Sequence, residues 1–205
     1  MFIEEDIIRH EAGHAVVAHK LGLSVDAMVW RARKDGSDAR GDVAGSFAGN
    51  PNHITILAAG FVADYLNSRM NRIMDPVAPL IPTTADMINW ELNIMANLAA
   101  RGTADGDLKA IRRAQPSRSF NPLRDASIAD APPQAVQLAI DILNQDWDLL
   151  CDLIEYAQLR RPGIGPREIR RFFAGEEANR WDRIKDKPVV WAVRLEQWKS
   201  RGQTT

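Results

Sequence analysis

Cysteine is almost absent: Cys151 is the only one in 205 residues. No intramolecular disulfide can form, and a cysteine-rich zinc site is excluded. Histidine is scarce as well, with four in the chain. Long hydrophobic runs are missing. The longest apolar stretch, Ile54 to Ala63, already holds Thr55 and Gly60. It falls far short of the roughly 20 residues needed to span a bilayer. The opening Met-Phe-Ile-Glu-Glu-Asp is acidic and enters a helical pattern at once, so no secretory signal is expected. Neither sign of charge is in excess: 26 Lys+Arg stand against 27 Asp+Glu, a net of -1. A general nucleic-acid binder is therefore not expected. With 45% hydrophobic residues the chain can bury a proper core. These exclusions leave a globular protein without a membrane span, expected in the cytoplasm.

The pattern along the chain is mainly helical. Residues 3–21 read as a helix that Gly22 ends. Val25 to Ala32 reads as a strand, residues 33–41 as a glycine-bearing loop, and Asp42 to Ala48 as a second strand, which makes a small hairpin. Asn50-Pro51 has the form of a helix start, with a helix from about residue 52 to 70 that is apolar on most of its circumference. A proline-bearing loop at 75–82 precedes a helix from Thr83 or Thr84 to Ala100. A short helix follows from about Gly106, with Asp105 as its cap and Pro116 as its end. Residues 116–133 read as irregular, 134–159 as one long helix, and further helices as starting at Pro166 and near residue 189. The expected fold class is mainly α (α+β), with a small sheet beside the first helix.

That first helix carries the chemistry. His10-Glu11-Ala12-Gly13-His14 is a His-Glu-x-x-His pentapeptide, and it holds half of the chain's four histidines. Residues four apart on a helix share a face, so both imidazoles can reach one metal ion at about 2.0–2.1 Å. Glu11 sits about 100° around the helix from His10 and is poorly placed as a third ligand. It is well placed to take a proton from a water at the open coordination position. That is the zincin arrangement of two His ligands and one Glu general base.

The third ligand must come from elsewhere. His19 lies five residues after His14, where the metzincin pattern needs six. His53 reads as a polar residue at a helix start. No Glu occurs between Glu11 and Glu91, so a Glu ligand on the next helix is not expected. An Asp remains, and a carboxylate oxygen suits zinc at about 2.0–2.2 Å.

HEAGHAVVAHKLG resembles the peptidase domain of the FtsH-type (AAA-associated) zinc metalloproteases. VDAMVWRARKDGSDARGDVAGSF resembles that family's substrate-side hairpin, ITILAAGFVADYL its apolar helix, and TADGDLKAI its Gly-Ala-Ser-x-Asp-Ile/Leu helix start. NQDWDLLCDLIEYAQLRRPGIGPREIRRFF resembles its C-terminal helices. The resemblance covers about 170 of 205 residues, of which HEAGHA is the specific part. It implies a zinc-dependent endopeptidase with Zn2+ on His10, His14 and Asp107 and with Glu11 as general base. An alternative alignment sets Thr83-Thr84-Ala85-Asp86 against the last motif and makes Asp86 the ligand. The family's Ala-Ala-Glu-Glu becomes Val-Ala-Asp-Tyr here. Asp64 then either orients a histidine N–H or is a solvated carboxylate on the helix surface.

The family's ATPase module has no counterpart, since no Gly-x-x-x-x-Gly-Lys-Ser/Thr occurs. The expected organisation is a free-standing peptidase domain at 1–160 with a helical extension at 161–205 packed on it. The expected partner is a polypeptide substrate, held by strand addition to Val43–Phe47 or Val25–Arg31. A homo-oligomer or an ATPase acting in trans would fit beside it. Competing readings are a catalytically idle, zinc-stabilised interaction domain and a zinc hydrolase of small amides.

Three other features read as structural. The chain from Arg160 onward has 12 Lys+Arg against 6 Asp+Glu. Its Trp181, Trp191 and Trp198 are expected to pack on the body rather than to bind a partner. Cys151 reads as a small buried hydrophobe, and Asp146, Asp148 and Asp152 as a solvated face. The loop from Asp35 to Asp42 lacks the spacing of a calcium loop.

Overall fold

The computed structural model describes residues 3–31, 40–71, 83–85, 87–88, 105–114, 128–160 and 162–175. The chain forms two compact units, residues 1–169 and residues 170–205. Asp86, the loop tip at 32–39, most of the helix expected at 83–100, and the three tail tryptophans lie outside the described residues.

The first unit is mainly α with a small antiparallel sheet, as the sequence pattern indicates. Helix α1 (Ile3–Lys20) opens with Glu4, Glu5 and Asp6 and closes with Lys20, charges that suit the two ends of its dipole. Gly22 adopts φ 76 and ends it. The Leu23 N–H bonds to the Ala18 carbonyl and the Gly22 N–H to that of His19, which is the Schellman stop.

Strand β1 (Val25–Arg31) pairs antiparallel with β2 (Arg40–Gly45), in a register running from Trp30↔Gly41 to Ala27↔Ala44 with an irregularity near Val25. A third strand, β3 (Gly163–Ile164), pairs with the other edge of β1 through Met28↔Ile164. The order β2-β1-β3 makes β1 central. Two residues carry too little period to announce a strand, and β3 was not expected from the sequence.

Helix α2 (His53–Asn71) is apolar, with Ile56, Ala58, Ala59, Phe61, Val62, Ala63, Tyr65 and Leu66 buried. Asn50 caps the turn before it rather than the helix itself: its side-chain oxygen accepts the Asn52 N–H at 2.8 Å. α1 packs along α2 at close range. A Cβ on Gly13 would lie 2.6 Å from the Ala59 carbonyl oxygen and 2.8 Å from the Ala63 Cβ, so only glycine fits at this crossing.

Helix α3 (Asp105–Arg113) is short and amphipathic. Leu108 and Ile111, one turn apart, are buried and fasten it to the body. Arg112 donates to Asp130 at 2.9 and 3.1 Å and ties α3 to a 3-10 turn at Ile128–Asp130.

The long helix expected at 134–159 is two helices, α4 (Pro133–Gln145) and α5 (Trp147–Gln158). The break is at Asp146, whose ψ of 34 leaves the helical range. Apolar spacing continues across the break from Leu143 to Trp147, and Asp146 pairs with Lys20 of α1 at 2.6 Å. Asp146 is thus tied down, whereas Asp148 and Asp152 are exposed as expected. Helix α1 lies among α2, α4, α5, β1 and β2, and this central seat is what buries the His-Glu-x-x-His face. No helix among the described residues is long and apolar enough to cross a membrane. The last described helix is α6 (Pro166–Phe173).

Candidate metal centre

Two elements, α1 and α3, bring His10, His14 and Asp107 together. The helical spacing on α1 sets the two imidazoles in an edge-to-face pair with centroids 4.8 Å apart. Asp107, in the first turn of α3, reaches both: its Oδ2 lies 3.2 Å from Nε2 of His10 and 3.3 Å from Nε2 of His14. One ligand atom from each of the three residues falls within 4.8 Å of the others, and among the described residues this is the group able to hold a metal ion. His19 and His53 do not belong to it.

The rings are held from behind by different means. Nδ1 of His14 donates to the backbone carbonyl of Ile56 at 2.6 Å. Nδ1 of His10 meets Oδ2 of Asp64 at 2.8 Å, and Phe61 packs edge-to-face on the same ring. Each Nδ1–H is thereby engaged, which turns the Nε2 side of both rings toward Asp107 and the space between. Asp64 is therefore the residue that orients a histidine N–H, and not a solvated surface acid. Its other oxygen accepts Arg9 Nε at 3.0 Å, and Arg9 also pairs with Asp6 at 2.7 Å.

Two glycines complete the pocket. A Cβ on Gly60 would collide with the Nε2 side of both imidazoles, so α2 offers a bare backbone where the donors converge. A Cβ on Gly41 of β2 would collide with the Glu11 carboxylate, which packs against that strand. Arg9, Gly41 and Gly60 were not expected from the sequence. The small-residue run Ala58-Ala59-Gly60 was visible as a pattern, but only the crossing with α1 gives it a purpose.

The electrostatics follow from burial and from the clustered carboxylates. Burial disfavours the charged form of His10, but Asp64, Asp107 and Glu11 outweigh it and push the imidazole up to about 10. His14 is likewise raised, burial being outweighed by Asp107. Burial pushes Asp107 and Asp64 toward neutrality, yet the histidines, with Arg9 at Asp64, hold both below the usual carboxylate range. Glu11 is 7% exposed. Burial drives its carboxyl upward, with further pressure from Asp107 and Asp42, against the lowering by His14 and His10.

Cys151 is half-buried, and burial with the charges of Asp148, Asp152 and Glu155 pushes its thiol up to about 12. It has no thiolate character to offer.

No protein-family model matches the chain, and no curated protein matches it either.

Proposed function

We propose that this chain is a zinc-dependent endopeptidase of the FtsH-type kind that hydrolyses peptide bonds in unfolded or flexible polypeptides in the cytoplasm. One observation carries the reading: Nε2 of His10 and of His14 converge on a single Asp107 oxygen, with Glu11 buried on the same helix. The donor set fits Zn2+. It consists of two imidazole nitrogens whose partners fix them from behind and one carboxylate oxygen, around a place that a Cβ on Gly60 would fill. His10, His14 and Asp107 would hold the ion.

Bound there, Zn2+ supplies Lewis acidity, which polarises a scissile carbonyl and makes an attacking water more acidic. Glu11 takes the proton of that water and returns it to the leaving amine. His14 and His10 do not titrate in the cycle; their N–H groups are spoken for by Ile56 and Asp64.

The sheet gives the substrate its direction. β3 covers β1 at Met28 and Val29, so Val25–Arg31 offers no continuous edge, whereas no strand among the described residues pairs with the outer side of β2. An extended peptide added to β2 passes the Gly41 backbone and thus the Glu11 carboxylate. Main-chain hydrogen bonds read little sequence, so specificity is loose. An ATPase acting in trans would extend the reaction to folded substrates, and a homo-oligomer would fit beside it.

The test is hydrolysis of denatured casein, blocked by phenanthroline and restored by zinc. Glu11→Gln keeps its zinc and loses activity by about 10²–10⁴-fold. Stoichiometric zinc without hydrolysis of any denatured protein would turn the reading into an idle, zinc-stabilised interaction domain. Turnover of small amides alone would turn it into a different hydrolase. Absence of zinc from the folded protein would remove all three.

A further inference from the structure

His14 is aligned by a backbone carbonyl, which the α2 helix holds rigid. His10 is aligned by a side-chain carboxylate, which can turn about its own bonds. Asp64 is kept from turning by Arg9. Consecutive residues of α1 take one oxygen each: Arg9 Nε bonds Oδ1 at 3.0 Å and His10 Nδ1 meets Oδ2 at 2.8 Å. The guanidinium is in turn fixed at its far end by Asp6 at 2.7 Å. Its side chain is only 15% exposed, and that of Asp64 25%. We propose that Arg9 is a positioning residue for the metal centre: it clamps the Asp64 carboxylate and, through it, the plane of the His10 ring, so that Nε2 of His10 is presented to the ion.

The plain alternative is an ion pair that merely fastens α1 to α2. The shared carboxylate argues against it, because a fastening pair has no need of the ligand histidine on its second oxygen.

The sign of the effect separates positioning from simple charge. A guanidinium repels a cation, so by Coulomb's law alone its removal would tighten metal binding. Positioning requires the reverse.

The inference rests on the metal reading above, and one experiment tells their failures apart. Co2+ is titrated into the chelator-stripped full chain, with its visible d–d absorption as readout, for the unaltered chain and for Arg9→Leu, Arg9→Lys, Asp64→Asn and the Arg9→Leu/Asp64→Asn double variant. Arg9→Leu and Asp64→Asn should each weaken binding by about 10–100-fold and alter the spectrum. Arg9→Lys should recover part of the loss, since an ammonium meets the carboxylate without the planar fork. In the double variant the two losses should not multiply, because Arg9 acts through Asp64.

Circular dichroism of the metal-stripped variants shows which are folded, and Arg9→Lys decides if Arg9→Leu is not. Unchanged or tighter Co2+ binding in the folded Arg9 variants, or losses that multiply, overturns the proposal and leaves the metal reading standing. If the unaltered chain binds no Co2+, the metal reading falls and this inference with it.

Discussion

A methyl group on Gly60 would lie 2.6 Å from Nε2 of His14. The nitrogen that faces Asp107 thus looks onto bare helix backbone, and the size of one hydrogen atom there sets the room between the donors. Gly60→Ala should therefore abolish or greatly weaken zinc binding. The metal-free fold should survive, because alanine favours a helix interior over glycine by about 1 kcal/mol, which offsets part of the crowding. Zinc stoichiometry measured beside helix content checks this. Full zinc occupancy in a folded Gly60→Ala protein would count against the placement of the ion.

Gly41 bears on the base rather than on the metal. A Cβ there meets Glu11 from its Cγ to its carboxylate, so this buried side chain has to turn. Gly41→Ala should leave zinc content nearly unchanged, cost some thermal stability and lower kcat at least tenfold. An unchanged kcat would mean that Glu11 works from a different rotamer.

The metal-free protein should depend on pH in a definite sense. An unfolded imidazole has a pKa of about 6.5. In the fold His10 is pushed up to about 10, with burial opposing the charge and Asp64 leading the groups that favour it. Its contribution to stability is complete below about 6.5 and disappears as pH climbs toward about 10. Asp64 and Asp107 are held low, so theirs is complete above the ordinary carboxylate value and is lost on acidification. In chelator, the thermal midpoint should be highest in mildly acidic solution and should fall on the alkaline side. Zinc should flatten or reverse the alkaline fall, because ion and protons compete for the same nitrogens. A midpoint in chelator that rises steadily from pH 6 to 10 would contradict the charged His10–Asp64 pair.

What could be read from the sequence was whatever depends on one helix. His10, Glu11 and His14 are bound to share a surface by 3.6-residue geometry alone. Gly22 as a stop and the hairpin of β1 and β2 are equally local. Asp107 needed the likeness of TADGDL to a known motif, since nothing in spacing links residue 107 to residue 10. Asp64 was legible as a candidate but not as a partner, because a carboxylate on an apolar helix looks the same whether it faces water or a ring. Arg9 was silent for the same reason: its role appears only when α2 is laid across α1. The break at Asp146 was missed because apolar spacing continues through it, and the Lys20 contact that favours the break comes from the other end of the unit.

The unequal tethering of the two imidazoles has a bearing on how such a centre drifts over generations. No substitution at position 56 can take away a peptide oxygen, so inheritance protects the alignment of His14 against everything short of shifting a whole helix. The alignment of His10 hangs on two codons, those of residues 64 and 9, and either can be lost in a single replacement. Decay of the centre in descendant sequences should therefore begin on the His10 side.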